Sequence, residues 1–163
     1  MHKLTRKTHL SRFLAWTAVC AWSLLAASCD ERKGQPAWKE VCQQWKRLPA
    51  EHGHSFNQAI AMKVQNWKQL QPLIRQGLLE AAEAELLNEI YGLVLERIPP
   101  DQGGRGLRAA KALLHIEAAL KSGSVDRPQL LEDIRVLGDW KGLKPKDELV
   151  ESVAEIIAQI ARG

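Results

Sequence analysis

The chain has 163 residues, of which 45% are hydrophobic and 26% charged, and its formal net charge at pH 7 is +4. Four of its 23 basic residues lie within the first 12 positions, and the rest of the chain carries 19 basic and 19 acidic residues in interleaved order. Without a basic stripe, the long-range attraction that drives nucleic-acid association is absent. The composition therefore excludes nucleic acid as a partner and allows one domain with a buried core.

The first 29 residues have the layout of a secretory signal. Basic residues precede an apolar run over 13–27, and small residues precede Cys29. This order is typical of an exported protein and predicts a signal peptide over residues 1–28. The apolar segment 13–28 has 16 residues, just short of the roughly 17–25 that a membrane-spanning helix needs, which disfavours an uncut anchor.

The sequence Ala26-Ala27-Ser28-Cys29 resembles the lipobox of bacterial lipoproteins. The resemblance implies cleavage before Cys29 and attachment of a diacylglycerol to its sulfur, with fatty acyl chains such as palmitate. In many Gram-negative lipoproteins, an aspartate at the next position is associated with retention in the inner membrane. Asp30 therefore predicts the periplasmic face of that membrane. Two alternatives stay open: ordinary cleavage after Ser28, which would release a soluble protein, and an uncut anchor.

Residues 29–36 are predicted to comprise the lipidated cysteine and a short polar tether, and residues 37–163 a single helical domain. Cys42 is the one cysteine of that domain. In an oxidising compartment a single cysteine is either buried or paired with another chain. The apolar side of a predicted helix favours a buried thiol for Cys42, with an intermolecular disulfide as the alternative.

Helical periodicity runs through the mature part, and no alternating run bounded by hairpin turns indicates a strand. The first predicted helix begins at Pro36 and ends at Pro49. A second begins near Ser55, which can cap it, and Pro72 kinks it or divides it from a third helix, because proline lacks the backbone donor of an interior position. Pro99 follows the end of the third.

Residues 101–106 are predicted to be a flexible loop, and the next helix ends near Gly123. Asp126 and Pro128 have the positions of an N-cap and a first turn, and Pro145 opens the last helix. The predicted fold class is all-α, a compact bundle or an array of helical hairpins with about five to six helices. The predicted apolar stripes include Ile60, Val64 and Trp67 in the second helix, Leu107 and Leu114 in the fourth, and Leu149, Val150, Val153, Ile156, Ile157 and Ile160 in the last.

None of the sequence patterns that carry chemistry is complete. His52 and His54 flank a glycine but lack the further ligands that a zinc site needs. The glycine-rich segment 103–106 lacks the Lys-Ser/Thr of a P-loop. Glu151-Ser152 resembles the Glu-Ser pair of lytic transglycosylases, but the other motifs of that family are absent. We therefore predict no enzyme, no metal and no cofactor besides the covalent lipid on Cys29.

Trp38 and Trp45 lie one heptad apart on the helix nearest the lipid. Core packing is the simplest interpretation. If that helix is not fully packed, the two rings would instead anchor at the bilayer interface or form a binding hot spot. The pair is therefore the candidate interaction surface.

These features predict a membrane-anchored, non-enzymatic helical lipoprotein. It would act as an adaptor, assembly or regulatory component of a cell-envelope system, of secretion or conjugation type, with the membrane and an envelope protein as partners. The alternative is a periplasmic peptide- or ligand-binding module of helical hairpins, followed by a peptidoglycan-active enzyme.

Overall fold

The structure is a computed structural model, and it describes residues 31–50, 55–98 and 103–163. Cys29, Asp30 and the histidine pair at 52 and 54 lie outside the described residues. The chain divides into two compact units, Met1–Gln35 and Pro36–Gly163. Of the first unit only residues 31–35 are described, and residues 31–33 are helical. This part of the predicted tether is therefore not extended.

Six α-helices and one 3₁₀ turn, Leu48–Ala50, make up the described part of the second unit. No strand occurs in the described ranges, and the all-α prediction is confirmed. The helices are α1 (Pro36–Arg47), α2 (Phe56–Arg75), α3 (Ala81–Glu96), α4 (Gly103–Ser122), α5 (Arg127–Trp140) and α6 (Asp147–Arg162).

Two helices begin at the N-caps that the sequence predicts. The Ser55 hydroxyl accepts from the backbone N–H of Gln58 at 3.4 Å, and the Gln58 side chain accepts from the backbone N–H of Ser55 at 2.9 Å. This reciprocal capping box satisfies two backbone donors that the first turn leaves free. At α5, Asp126 Oδ1 accepts from the backbone N–H of Gln129 at 3.3 Å.

The division between α2 and α3 lies at Gly77 rather than at Pro72. Proline 72 lies within the last turns of α2, which continues to Arg75. Gly77 has a φ of +69°, and the N–H groups of Gly77 and Leu78 donate to the carbonyls of Ile74 and Leu73. This is a Schellman motif, which satisfies the last carbonyls of the helix and reverses the chain. The proline costs α2 one hydrogen bond without ending it.

The predicted loop at 103–106 is wrong, because α4 begins at Gly103. Arg105 holds this first turn against the end of α5. Its guanidinium donates to the carbonyl of Asp139 and lies 5.8 Å from the centroid of the Trp140 ring. The contact explains how three glycines are accommodated in a helix despite their conformational freedom.

The last helix, α6, has nine of its 16 residues buried and packs against α1, α3, α4 and α5. Its predicted apolar stripe is confirmed, with Leu149 partly buried and the other five positions fully buried. Burial of each valine or isoleucine contributes roughly 1.5–3 kcal/mol. Residues 156–161 of α6 are all buried, and they include the polar Gln159.

The predicted stripes of the second and fourth helices are partly wrong. Ile60 and Val64 of α2 and Leu107 and Leu114 of α4 are exposed. Helix α4 instead buries a face rich in small residues against its neighbours, including Ala109, Ala112, Leu113, Ile116 and Leu120.

Candidate functional site

The two candidate tryptophans lie in the core. Trp38 is 3% exposed and Trp45 is 0% exposed. The Trp45 Nε1–H donates to Asn66 Oδ1 at 3.1 Å, and its ring centroid lies 5.5 Å from that of Tyr91. Because their rings are enclosed, Trp38 and Trp45 do not form the exposed interaction surface that their spacing suggested. Their contribution is to packing.

A groove of about 660 Å³ lies between α2 and α3 and was not predicted. One wall comes from the N-terminal half of α2 and the other from α3. Its lining residues are Phe56, Ile60, Lys63, Val64, Trp67, Ala81, Glu85, Asn88, Glu89 and Glu96. This groove is the candidate functional site.

The α2 wall of the groove is an exposed apolar row. Phe56, Ile60 and Val64 are 70%, 44% and 49% exposed. Because residues four positions apart lie on one face of a helix, the three side chains form a continuous strip. Single exposed apolar residues are ordinary on a protein surface, whereas contiguous apolar rows are candidates for interaction sites.

The geometry of α2 explains why this row faces solvent. Its buried residues, Ala59, Asn66, Leu70 and Leu73, follow a different face of the helix. Towards the N-terminus the only fully buried residue of that face is the small Ala59, with Met62 partly buried beside the core. Phe56, Ile60 and Val64 are left on the outside.

The floor of the groove is connected to Trp45 by a short hydrogen-bonded chain. Asn66 accepts from Trp45 and donates through Nδ2 to Asn88 Oδ1 at 2.9 Å. Gln44 adds a second link between α1 and α3 by donating to the Tyr91 hydroxyl at 2.7 Å. Trp45 therefore orients Asn88, a lining residue of the groove, through its hydrogen bond to Asn66.

The α3 wall of the groove carries three carboxylates. Lys63 Nζ lies 2.6 Å from Glu89 Oε1, and Lys141 Nζ lies 3.4 Å from Glu89 Oε2 and 3.9 Å from Glu96 Oε2. Burial alone would raise the pKa of Glu89, but the hydrogen bond and charge of Lys63, with those of Lys141, outweigh burial and lower it. Glu85 has no ion pair within the described ranges.

Gly92 of α3 makes room for the lysine that crosses the groove. A Cβ at this position would lie 2.9 Å from Cδ of Lys63. The missing side chain lets the aliphatic part of Lys63 lie against α3, with its ammonium at Glu89. The glycine therefore supports the ion pair between the two walls.

A second, smaller pocket of about 360 Å³ lies between α4 and α5. There Asp133 Oδ1 accepts from Gln129 Nε2 at 2.9 Å and lies 3.2 Å from His115 Nδ1, while Oδ2 has no hydrogen-bond partner. Burial raises the pKa of Asp133, although the hydrogen bonds from His115 and Gln129 oppose this. The neighbouring Ser122 hydroxyl is occupied by the carbonyl of Ser124. The cluster thus joins two helices and presents no activated nucleophile.

Three other residues considered for chemistry, Cys42, Glu151 and Ser152, are occupied by packing or by helix contacts. Cys42 is a free, half-buried thiol, and burial raises its pKa to about 11, with Lys46 opposing the rise. A thiol with this pKa is protonated at neutral pH and is a poor nucleophile. Glu151 is exposed and pairs with Arg127 at 2.9 Å, whereas Ser152 donates to Glu83 of α3. Glu151 and Ser152 therefore make separate contacts, the first with α5 and the second with α3.

In the described ranges, no group of three or more histidine, cysteine or acidic side chains is placed to hold a metal ion. Nor does any helix there have the length and apolarity to cross a membrane. No protein-family model, curated protein or solved structure matches the chain. The four-residue spacing of Phe56, Ile60 and Val64 was visible in the sequence, but it is the same spacing that a buried stripe has.

Proposed function

We propose that this protein is a lipid-anchored, non-enzymatic adaptor or assembly component of a cell-envelope system. In this proposal Cys29 carries the diacylglycerol, and Asp30 keeps the protein at the periplasmic face of the inner membrane. Both assignments rest on the lipobox-like sequence. The helical unit then recognises an envelope protein through the groove between α2 and α3. The system would be of secretion or conjugation type.

The observation that supports partner binding is the exposed row of Phe56, Ile60 and Val64. Aromatic anchors surrounded by aliphatic side chains are typical of binding hot spots, and polar residues are typical of their rim. The groove has this composition, with its apolar row on α2 and its carboxylates on α3. The Phe56 ring is 70% exposed and adds little to the core, so most of its surface is available to a partner.

A second function is favoured by one observation. Trp67 is half-buried and lines the groove, as expected of a periplasmic module that binds a free peptide or small ligand. The two functions differ in what remains bound on purification. An adaptor brings a stoichiometric protein partner, whereas a ligand-binding module brings a small molecule or a short peptide.

The proposal is tested by cross-linking the full lipidated protein in its native envelope and purifying it in three forms. The forms are the unchanged chain, Ile60→Asp, and the control Leu114→Asp, which alters a leucine that is 62% exposed on α4 outside the groove. We expect one stoichiometric partner with the unchanged chain and with Leu114→Asp, and its loss with Ile60→Asp. Equal recovery with all three forms would rule out the groove as the binding site.

Membrane attachment is tested separately. Cys29→Ser should abolish labelling by a fatty acid and release the protein from the membrane fraction. Unchanged partitioning would instead indicate an uncut anchor. Because this substitution does not alter the groove, its result is independent of the partner experiment.

A further inference from the structure

We infer that the groove between α2 and α3 accepts a basic amphipathic helix of the partner protein. The inference rests on the proposed function and adds the chemistry of the occupant to it. The partner helix would place apolar side chains on Phe56, Ile60 and Val64. Its lysine or arginine side chains would meet the carboxylates of Glu85 and Glu96.

The spacing of the apolar row favours a helix. Phe56, Ile60 and Val64 succeed one another by four residues, so at a rise of about 1.5 Å per residue the row is about 12 Å long. Two turns of a partner helix, with apolar residues at i, i+4 and i+7, cover this distance. The volume of about 660 Å³ suits a few aliphatic side chains inserted from one face of such a helix.

The backbone of the groove argues against an extended peptide. Extended peptides gain affinity by adding a strand to a sheet edge, where backbone donors and acceptors are free. Both walls here are helices whose backbone groups are bonded internally, and the described ranges contain no strand. A bound extended segment would leave its own N–H and C=O groups without protein partners. A helix satisfies these groups by itself.

The charge of the groove selects a basic partner. Its charged lining residues are Glu85, Glu89, Glu96 and Lys63. Glu89 is compensated by Lys63 and Lys141, and Glu96 is only weakly paired, with Lys141 Nζ at 3.9 Å. Glu85 is left to offer its charge to a partner. Opposite charges at the rim of an interface guide association and fix the orientation of the partner.

The same charges disfavour the two other occupants of an apolar face. A membrane surface presents anionic lipids, which would repel the carboxylates that flank the row. A second copy of the chain would bring an identical face, because a two-fold interface pairs the same patch on both subunits. Both faces would then carry the same excess of negative charge, because each lining holds three glutamates and one lysine. A basic helix of another protein meets neither obstacle.

The test is a selection from a displayed library of helical peptides with randomised surface positions. The bait is the full lipidated protein in detergent micelles, and the enriched peptides are then measured against the unchanged chain and its variants. We expect the enriched peptides to have apolar residues every three or four positions and a net positive charge. Their affinity should fall at least tenfold with Ile60→Asp, change less than twofold with Leu114→Asp, and fall about threefold or more with the double substitution Glu85→Lys and Glu96→Lys.

Other outcomes would overturn the inference. These are enrichment of acidic or uncharged peptides, binders that ignore Ile60→Asp, or no binders at all. Ile60-dependent retention of the Cys29→Ser protein on vesicles of phosphatidylethanolamine and phosphatidylglycerol would assign the row to the membrane. An Ile60-dependent dimer in sedimentation would assign it to a second copy. If the inference fails while the native complex is still lost with Ile60→Asp, the adaptor function stands without this occupant.

Discussion

Helices α2 and α6 are both amphipathic, yet they use their apolar residues in opposite ways. In α6 nine of 16 residues are buried, and the helix packs against four others. In α2 four of 20 residues are buried, and Phe56, Ile60 and Val64 of its first half face solvent. The difference shows that an apolar stripe can serve the core or a partner. Only packing by the rest of the chain decides which.

The largest contrast should appear when a charge is placed in each stripe. Ile157 of α6 is fully buried, so Ile157→Asp adds an unpaired buried charge to the loss of apolar burial and should destabilise by more than about 4 kcal/mol or prevent folding. Val64→Asp on α2 should cost less than about 1 kcal/mol, because half of that side chain is already in water. Urea unfolding of both variants measures the contrast. Equal losses of stability would mean that the α2 row is part of the core.

The inner face of α2 should be more sensitive to substitution than its outer row, and its contact with Trp45 of α1 tests this. Trp45→Phe keeps the aromatic packing but removes the N–H that donates to Asn66 Oδ1. The buried acceptor is left unsatisfied, which should cost about 1–3 kcal/mol. Trp140→Phe, at a half-buried ring, is the matched control and should cost less. Urea unfolding measures the free energy of unfolding of both variants. A larger loss of stability for Trp140→Phe than for Trp45→Phe would contradict the role given to Trp45.

The ion pair between the two walls should make a smaller, pH-dependent contribution. The pKa of Glu89 is lowered in the folded state, so its stabilisation is present above the ordinary pKa of about 4.3 and is lost as the pH falls through the lowered value. Glu89→Gln should therefore cost about 0.2–1 kcal/mol at pH 7 and nothing in strong acid. Glu40→Gln, at an exposed position of α1, serves as the control. A cost that is independent of pH would show that the charge of Glu89 is not responsible.

Asp133, in the pocket between α4 and α5, should change stability with pH in the direction opposite to Glu89. This effect should be the smallest of the four. The pKa of Asp133 is raised by burial, so the folded state holds its proton more tightly than the unfolded state. Stability then falls as the pH rises from the ordinary value of about 3.9 to the raised one. Unfolding of Asp133→Asn over the same range should show the variant gaining stability relative to the unchanged chain as the pH rises. A relative loss would contradict the burial of an unsatisfied carboxylate.

Local signals in the sequence predict the helices well. Ser55 with Gln58, and Asp126 with Gln129, mark helix starts because capping depends on residues three positions apart. The α6 stripe could also be predicted, since its apolar residues fill one face and its polar residues the other. The end of α2 was misplaced because Pro72 is a strong general breaker, whereas Gly77 acts through a positive φ that only the backbone shows.

The groove could not be predicted from the same signals. Ile60 and Val64 have helical spacing, and nothing in one sequence indicates that Ala59 fills their place against the core. Leu107 and Leu114 were misassigned for a similar reason, since α4 buries a different face that includes Ala109 and Ala112. Trp45 was identified as important, but its contact with Asn66 depends on a residue 21 positions away. Burial is a property of the assembled helices, and periodicity alone does not contain it.

Site-specific photo-cross-linking tests the central claim most directly. A photoreactive residue would replace Val64 in one form of the full lipidated protein and Leu114 in a control form, each expressed in its native envelope. We expect one discrete protein adduct from position 64 and none of the same size from position 114. Adducts of equal yield from both positions, or adducts with lipid alone at position 64, would contradict a partner-binding groove between α2 and α3.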